Sequence, residues 1–271
     1  MSALNSIIRV LLDGVLSPTR HMSPLVGLTV ISAVSAAVML LIVKATSNQA
    51  RLAAVKRSIQ ACVYEVRLFG DDARAMFRAL GEMLRHNVTY LRLGLVPLLW
   101  MAIPLGVLLT HLDAYYGVGE LVPGRAVLVK VKLRDSGGSV PQLVAPEGVL
   151  IETPVVWIPS LREATWRVSA QRPGDYELTV RAGGTTVTKQ LTALPGVVRR
   201  SAVRPEARIL DQLRYPAERA VPEGGRVESI SVTYPSRRIV VFGWEVHWLT
   251  VFSVLSMVFA LALRSPLKVV L

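Results

Sequence analysis

Residues 93–112 read Leu93-Gly-Leu-Val-Pro-Leu-Leu-Trp-Met-Ala-Ile-Pro-Leu-Gly-Val-Leu-Leu-Thr-His-Leu112, with Arg92 before them and Asp113 after. The run contains no Asp, Glu, Lys or Arg. A helix needs roughly 20 such residues to cross the ~30 Å hydrocarbon core of a bilayer, so this stretch decides the fold: the chain is built around membrane spans. Two more runs follow the same rule. Leu25–Val43 is uncharged up to Lys44, and Trp248–Leu263 is uncharged between His247 and Arg264. The third would be only ~24 Å long as a helix at ~1.5 Å per residue. It is short unless it recruits Phe242–Val246, and the expected span is 242–263.

The composition agrees. Over 271 residues, 52% are apolar and 18% charged, and the mean hydropathy is +0.44; soluble domains carry about 25% charged residues. Disorder, a collagen-like repeat and a coiled-coil rod are excluded. The single cysteine, Cys62, excludes a disulfide scaffold and any multi-cysteine zinc site. A net charge of +12, from 31 Lys+Arg against 19 Asp+Glu, invites a nucleic-acid reading. The basic residues are dispersed and no cluster of them carries stacking aromatics, so DNA is not an expected partner; ribosomal contact by the cytoplasmic part stays open.

Charge also orients the chain. Between Lys44 and Arg92 stand nine Lys+Arg against four acids. Arg264 and Lys268 follow the third run. Both segments fall on one side of a three-span chain, which the positive-inside rule makes cytoplasmic. The N-terminus and residues 113–241 are then extracytoplasmic. The 18 basic residues between Asp113 and Gly243 do not oppose this, because long translocated domains largely escape the rule. The expected location is a bacterial inner membrane. Ahead of the first span, residues 1–20 place Leu4, Ile7, Ile8, Leu11, Leu12 and Val15 at helical spacing. They read either as an amphipathic helix lying in the interface or as one packed on its own spans.

Within 45–91, Leu52, Val55, Ile59, Cys62, Val66 and Phe69 follow alternating steps of three and four, an a/d seam. Gly70-Asp71-Asp72 supplies a helix stop and two N-cap residues, and the seam resumes at Ala73, Met76, Leu80, Met83 and Asn87. The expectation is an antiparallel coiled-coil hairpin whose second arm runs into the span at 92–112 without a break. Met76, Phe77, Met83 and Leu84 are candidates for contact with apolar clients, the alternative being that the methionines are seam core.

The outer segment alternates as strands do. Ala126–Arg134, Thr165–Ser169 and Tyr176–Val180 have period two, Gly183-Gly184 marks a hairpin to Thr185–Leu191, and Val227–Val232 and Arg238–Val241 add strands. Short strands between Pro/Gly turns predict a β-sandwich. Arg172-Pro-Gly-Asp-Tyr176 resembles the segment that leads into the tyrosine corner of immunoglobulin-like domains. The predicted class is therefore an α+β membrane protein: spans at 24–44, 92–112 and 242–263, a cytoplasmic hairpin, an extracytoplasmic immunoglobulin-like sandwich and a tail at 264–271.

No G-x-S-x-G, H-E-x-x-H, P-loop or Rossmann fingerprint is present, so neither enzymatic activity nor a cofactor is expected. The order span, hairpin, span, outer segment, span resembles the YidC/Oxa superfamily of membrane insertases, especially its three-span members. The local match is Asn87-Val-Thr-Tyr-Leu-Arg-Leu-Gly-Leu-Val-Pro97 leading to Ile103-Pro104. The β insert before the last span is a departure, since bacterial YidC places its large periplasmic domain ahead of the core. The resemblance implies clients that are membrane proteins, a lipid-exposed groove and ribosome contact. Thr29, Ser32 and Ser35 on the first span, Ser253 and Ser256 on the third, and Arg92 are the candidate groove residues; the alternative for the hydroxyl residues is tight helix packing. A second class stays open, an accessory or scaffold subunit of a larger membrane complex that docks partners through the outer domain. His21, His111 and His247 stand at the outer ends of the spans. They form a weak candidate metal or proton-sensing set, against the plainer preference of histidine for an interface.

Overall fold

The computed structural model describes residues 7–8, 10–14, 23–68, 72–267 and 269. They fall into two compact units: Thr29–Gly106 with Phe252–Leu271, and Met1–Leu28 with Val107–Val251. The protein is α+β. Its named helices are α1 (Pro24–Thr46), α2 (Gln49–Leu68), α3 (Ala73–Leu112), α4 (Ile209–Arg214) and α5 (Trp248–Leu263). α1 and the apolar part of α3 are each long and apolar enough to cross a membrane, while α5, with 16 residues, is apolar but shorter.

Local chemistry sets the helix starts. The Ser23 hydroxyl accepts the Leu25 amide at 3.4 Å, and Pro24 occupies the first turn, where its missing N–H costs nothing. Asn48 caps α2 by accepting the Arg51 amide at 3.0 Å, and Asp72 caps α3 by accepting the Arg74 amide at 2.9 Å. Gly70 and Asp71, the other residues of the expected turn, lie outside the described residues, as does Phe69. The seam positions carry the burial: Leu52 and Cys62 are buried, Val55, Ile59, Val66, Met76, Leu80, Met83 and Asn87 half-buried, whereas Lys56 and Arg57 are exposed. α3 runs unbroken through 40 residues, as its sequence predicts, with Pro97 and Pro104 inside it. Each proline lacks the amide that would reach four residues back, so the carbonyls of Leu93 and Trp100 lose their helical partners. At the far end of this unit, Leu40 and Val43 of α1, Met101 of α3, and Ala260 and Leu263 of α5 pack with Leu267 and Val269. The Lys44 ammonium donates to the Leu267 carbonyl at 3.0 Å.

In the other unit the strands are β1 (Ala126–Leu133), β2 (Gln142–Val144), β3 (Val149–Ile151), β4 (Val156–Ile158), β5 (Glu163–Ala170), β6 (Asp175–Ala182), β7 (Thr185–Thr192), β8 (Val203–Arg204), β9 (Val227–Val232), β10 (Arg238–Val241) and β11 (Trp244–His247). One sheet has the order β3-β5-β1-β9-β8 with β4 also on β5, and a second has the order β2-β6-β7. All these pairs are antiparallel; Val129 of β1 lies between Trp166 and Val232. Alternation turns Val127, Val129, Val131 and Leu133 inward, to meet Trp166 and Val168 of β5, Leu178 and Val180 of β6, and Val187 and Leu191 of β7. These sheets are compatible with an immunoglobulin-like domain, whose two sheets run A-B-E-D and C-F-G. The Tyr176 hydroxyl donates to the Arg172 carbonyl at 2.8 Å, the hydrogen bond that the tyrosine-corner reading requires.

One boundary differs from the expectation. Residues 242–247 are not the first turns of the last helix: Trp244–His247 pairs with Arg238–Val241 as a β-hairpin, and α5 starts at Trp248. The turn is Phe242-Gly243, with φ of +50° and +85°, a left-handed pair that reverses the chain where a helix would continue it.

Past Leu133 the sandwich is closed by segments whose charges face inward. Lys189 lies at an inward position of β7 and is fully buried. Its ammonium donates to Glu218 Oε2 at 2.6 Å, to the Ser201 carbonyl at 2.7 Å and to the Ser201 hydroxyl at 2.9 Å. Arg200, also fully buried, donates to the carbonyls of Leu194 and Gly196. Arg237 donates to the same Gly196 carbonyl at 2.8 Å and lies 3.5 Å from Glu120. Desolvation lowers Lys189 to about 8 and Arg200 to about 10; the neighbouring Glu218 opposes the first shift, whereas Arg237 adds to the second.

This region ties the sandwich to the end of α3. A π-helical turn, Asp113–Gly117, follows Leu112. The Arg200 amide donates to the Ala114 carbonyl and the Arg237 amide to the Gly117 carbonyl, at 2.8 and 3.2 Å. Gly117 leaves room for the Asp113 carboxylate: a Cβ on it would stand 2.0 Å from Asp113 Oδ1 and force that side chain to move. The N-terminal segment is helical at 10–14. Leu12 is buried and Tyr115 donates to Asp13 at 2.8 Å, while Ile7, Val10 and Leu11 stay exposed. One side of this helix therefore packs on its own protein and the other is left apolar and open.

Candidate functional site

An open apolar groove of about 580 Å³ runs along α3 where the hairpin arm becomes the long apolar segment. Val88, Leu91, Leu95 and Leu98 form one wall, spaced by steps of three and four so that they share a helix face. Val43, near the end of α1, and Leu52, in the first turn of α2, form the other. The tight Ser47-Asn48 connection brings them together: the Ser47 amide and hydroxyl both donate to the Val43 carbonyl, at 2.9 and 2.6 Å, and Asn48 starts α2 immediately.

Two residues give the groove its depth. Gly94 lines it, and a Cβ there would meet nothing within 4 Å. Pro97 also lines it and is buried. The charged member is Arg92, whose side chain has no ion-pair partner among the described residues. An apolar trough with one guanidinium suits a segment that is mostly hydrocarbon and carries an occasional acidic or hydrogen-bonding group. Arginine is the appropriate cation, being permanently charged and able to hold a carboxylate with two parallel hydrogen bonds.

Of the expected groove residues, Arg92 alone is brought to this site. Ser32 and Ser35 are buried within the helical unit, and the Ser32 hydroxyl has no hydrogen-bond partner there. Thr29 and Ser256 are half-buried and Ser253 is exposed. Burial of Ser32 and Ser35 is what helix packing through small residues requires. The four hairpin candidates divide: Met76 and Met83 are half-buried on the seam, whereas Phe77 and Leu84 are exposed. The apolar walls at 88, 91, 95 and 98 were not singled out from sequence, although their helical spacing across the charged flank was available as a signal.

The chain matches no family model, no curated protein and no solved structure.

The histidines do not converge on a described metal site. His111 is buried, with Nδ1 2.9 Å from the Val107 carbonyl. His247 is exposed and accepts the Leu249 amide at 3.2 Å, capping α5. His21 lies outside the described residues. Among the described residues, the one trio of potential ligands close enough to share an ion is Cys62, Glu65 and Glu82. Burial pushes the Cys62 thiol up, and the two carboxylates push it the same way, which keeps it protonated and unreactive, as its seam position predicts.

Proposed function

We propose that this chain is a multi-pass membrane protein of YidC/Oxa type that assists insertion, folding or assembly of other membrane proteins. In this reading α1, α3 and α5 all span the bilayer, and α2 with the start of α3 forms the cytoplasmic coiled-coil hairpin. The sandwich is an extracytoplasmic immunoglobulin-like domain, with β1 in the B position, β2, β6 and β7 as C, F and G, and β9 in the place of A. The protein performs no covalent chemistry. It is a bacterial inner-membrane protein, and ribosomes delivering clients meet the hairpin.

The observation that carries the reading is the Arg92 groove. It lies on the side that the basic flanks make cytoplasmic, next to the hairpin, and its apolar walls match a client segment leaving water. A polar group on that segment costs several kcal/mol to desolvate in hydrocarbon without a partner. Arg92 supplies such a partner at the groove margin.

The test places a photo-crosslinking amino acid at Leu95 or Leu98 of the full-length protein and presents ribosome-bound chains of a single-span client. Both positions are expected to capture the client's apolar segment, and a probe at Leu161 of the sandwich is not. Capture at 95 and 98 no greater than at 161 refutes the reading.

A second reading, an accessory subunit docking through the sandwich, is favoured by one feature. Leu150 of β3, Val156 of β4 and Leu161 are exposed near the same sheet edge. It predicts that one large membrane complex co-purifies with the chain and is lost on Val156→Asp.

A further inference from the structure

The β10–β11 hairpin ends in side chains that the sandwich does not use. Phe242 is fully exposed, at 101% of its reference area, and Trp244 is 77% exposed. Val240, beside the turn, is 63% exposed. Ile239, one strand residue nearer the base, is buried at 3%. The hairpin is therefore anchored at its base and presents an apolar, aromatic tip.

That tip is costly in two independent ways. Phe242 has φ +50° and precedes Gly243 at +85°. A two-residue turn of this hand favours Asn, Asp or Gly at its first position, and a bulky side chain there is strained. Exposing a phenylalanine and a tryptophan to water forfeits the stabilisation their burial would bring. A strained turn that holds a ring away from its own protein needs an environment that takes up the ring.

We infer that the tip of this hairpin, Phe242 with Trp244, inserts into the interfacial zone of the outer leaflet of the bilayer. The inference rests on the reading of α5 as a membrane span. β11 ends at His247 and α5 begins at Trp248, so the hairpin base is covalently at the point where the chain enters lipid. A four-residue strand is ~13 Å long, which keeps the tip within reach of that level. Tryptophan favours the headgroup zone, where its ring is half in hydrocarbon and its N–H finds acceptors. At the base Arg238 and His247 are directly paired across the hairpin and both exposed, with exposed Glu245 on the same face, so the apolar tip and not net charge directs the contact. Full insertion is excluded by the unpaired backbone edges of a two-stranded ribbon, so contact is limited to the tip. The hairpin thereby holds the sandwich to the membrane and supplements the short apolar helix that follows it.

The experiment uses the full-length chain in vesicles of phosphatidylethanolamine and phosphatidylglycerol, with 4-fluorophenylalanine placed singly at Phe242, Trp244, Met257 of α5 or Leu161 of the sandwich. Fluorine NMR is read with a lipid carrying a nitroxide just below its headgroup, with a deep acyl-chain nitroxide, and with a water-soluble gadolinium chelate. The probes at 242 and 244 are expected to lose their signal to the shallow nitroxide. The probe at 257 should lose it to the deep nitroxide, and that at 161 to the chelate alone. If 257 is in lipid but 242 and 244 behave like 161, the inference is overturned and the span stands. If 242 and 244 are shielded from every agent, a second copy or another protein covers the tip and the inference is overturned. If 257 itself responds only to the chelate, the span reading fails and the inference falls with it. The probe at 244 keeps the test independent of any effect at the turn.

Discussion

Replacing Lys189 by Met should unfold the sandwich at markedly lower denaturant. Met keeps most of the side-chain volume and removes the ammonium from a fully buried position. Three donor hydrogen bonds of 2.6–2.9 Å vanish with it. The Glu218 carboxylate, 8% exposed, keeps the Gln190 amide at 3.0 Å and the Ser201 hydroxyl at 2.7 Å, but loses its counter-charge. Breaking a buried pair by deleting one partner costs about 3–5 kcal/mol, because the surviving charge stays desolvated. With a urea slope of about 2 kcal/mol per molar, the midpoint falls by about 2 M. The assay is urea unfolding of the full-length chain in mild detergent, followed by tryptophan fluorescence, in which Trp166 reports from the sandwich core. The double variant Lys189→Met/Glu218→Gln removes the orphaned charge and should recover at least about 2 kcal/mol, a coupling typical of residues in one network. A midpoint change below about 0.5 M for the single variant, or a double variant no more stable than the single, refutes the argument that this pair clamps residues 201–218 onto β7.

Lys189, lowered by burial from 10.5 to about 8, makes the sandwich more stable in mild alkali. Below pH 8 both folded and unfolded chains carry the proton, so the full cost of burying it is present. Between about 8 and 10 the unfolded chain holds a proton that the folded chain has released, so stability rises with pH while the neutral amine still donates to Glu218, and thermal unfolding of Lys189→Met should lack the rise. Tyr234, raised to about 12 by burial, opposes it only above pH 10. Gly94→Leu should not destabilise the helices, since open space surrounds the position and α3 gains about 0.5–1 kcal/mol of helix propensity. It should fill the groove and abolish client crosslinking from Leu98; unchanged capture with normal folding counts against the groove. Ser32→Ala removes a buried hydroxyl that has no partner among the described residues, so detergent stability should hold or rise by up to about 1 kcal/mol, whereas a large loss would give that hydroxyl a role that packing does not.

Local pattern was enough wherever an element is long. The uncharged run at 93–112, the seam steps in α2 and α3, and the alternation in β1, β5, β6, β7, β9 and β10 each repeat often enough to be read without neighbours. The Asp72 cap and the hydrogen bond from Tyr176 to the Arg172 carbonyl were legible too, because each is a contact within a few residues. β2, β3 and β4 have three residues apiece, too few for a period, and exist because β5 and β6 offer them edges. Phe242–His247 sets Phe242, Trp244 and Val246 between Gly243, Glu245 and His247, a pattern open to a span end or a hairpin; the left-handed turn at Phe242-Gly243 and the partner strand at 238–241 decided between them.

The sequence by itself determined which runs are uncharged and apolar, where the basic residues flank them, and that the segment after residue 125 is built of strands, because solvation and backbone periodicity act residue by residue. It also held a clue that charge concealed: Val187, Lys189 and Leu191 share one face of β7, so the alternation turns the lysine inward. Only the tertiary structure showed that Glu218, 29 residues away, waits there to pair with it. The groove is of the same kind. Val43 and Leu52 meet Leu91, Leu95 and Leu98 only when α1, α2 and α3 are packed, and a cavity is a property of the space between elements that no single stretch of chain encodes.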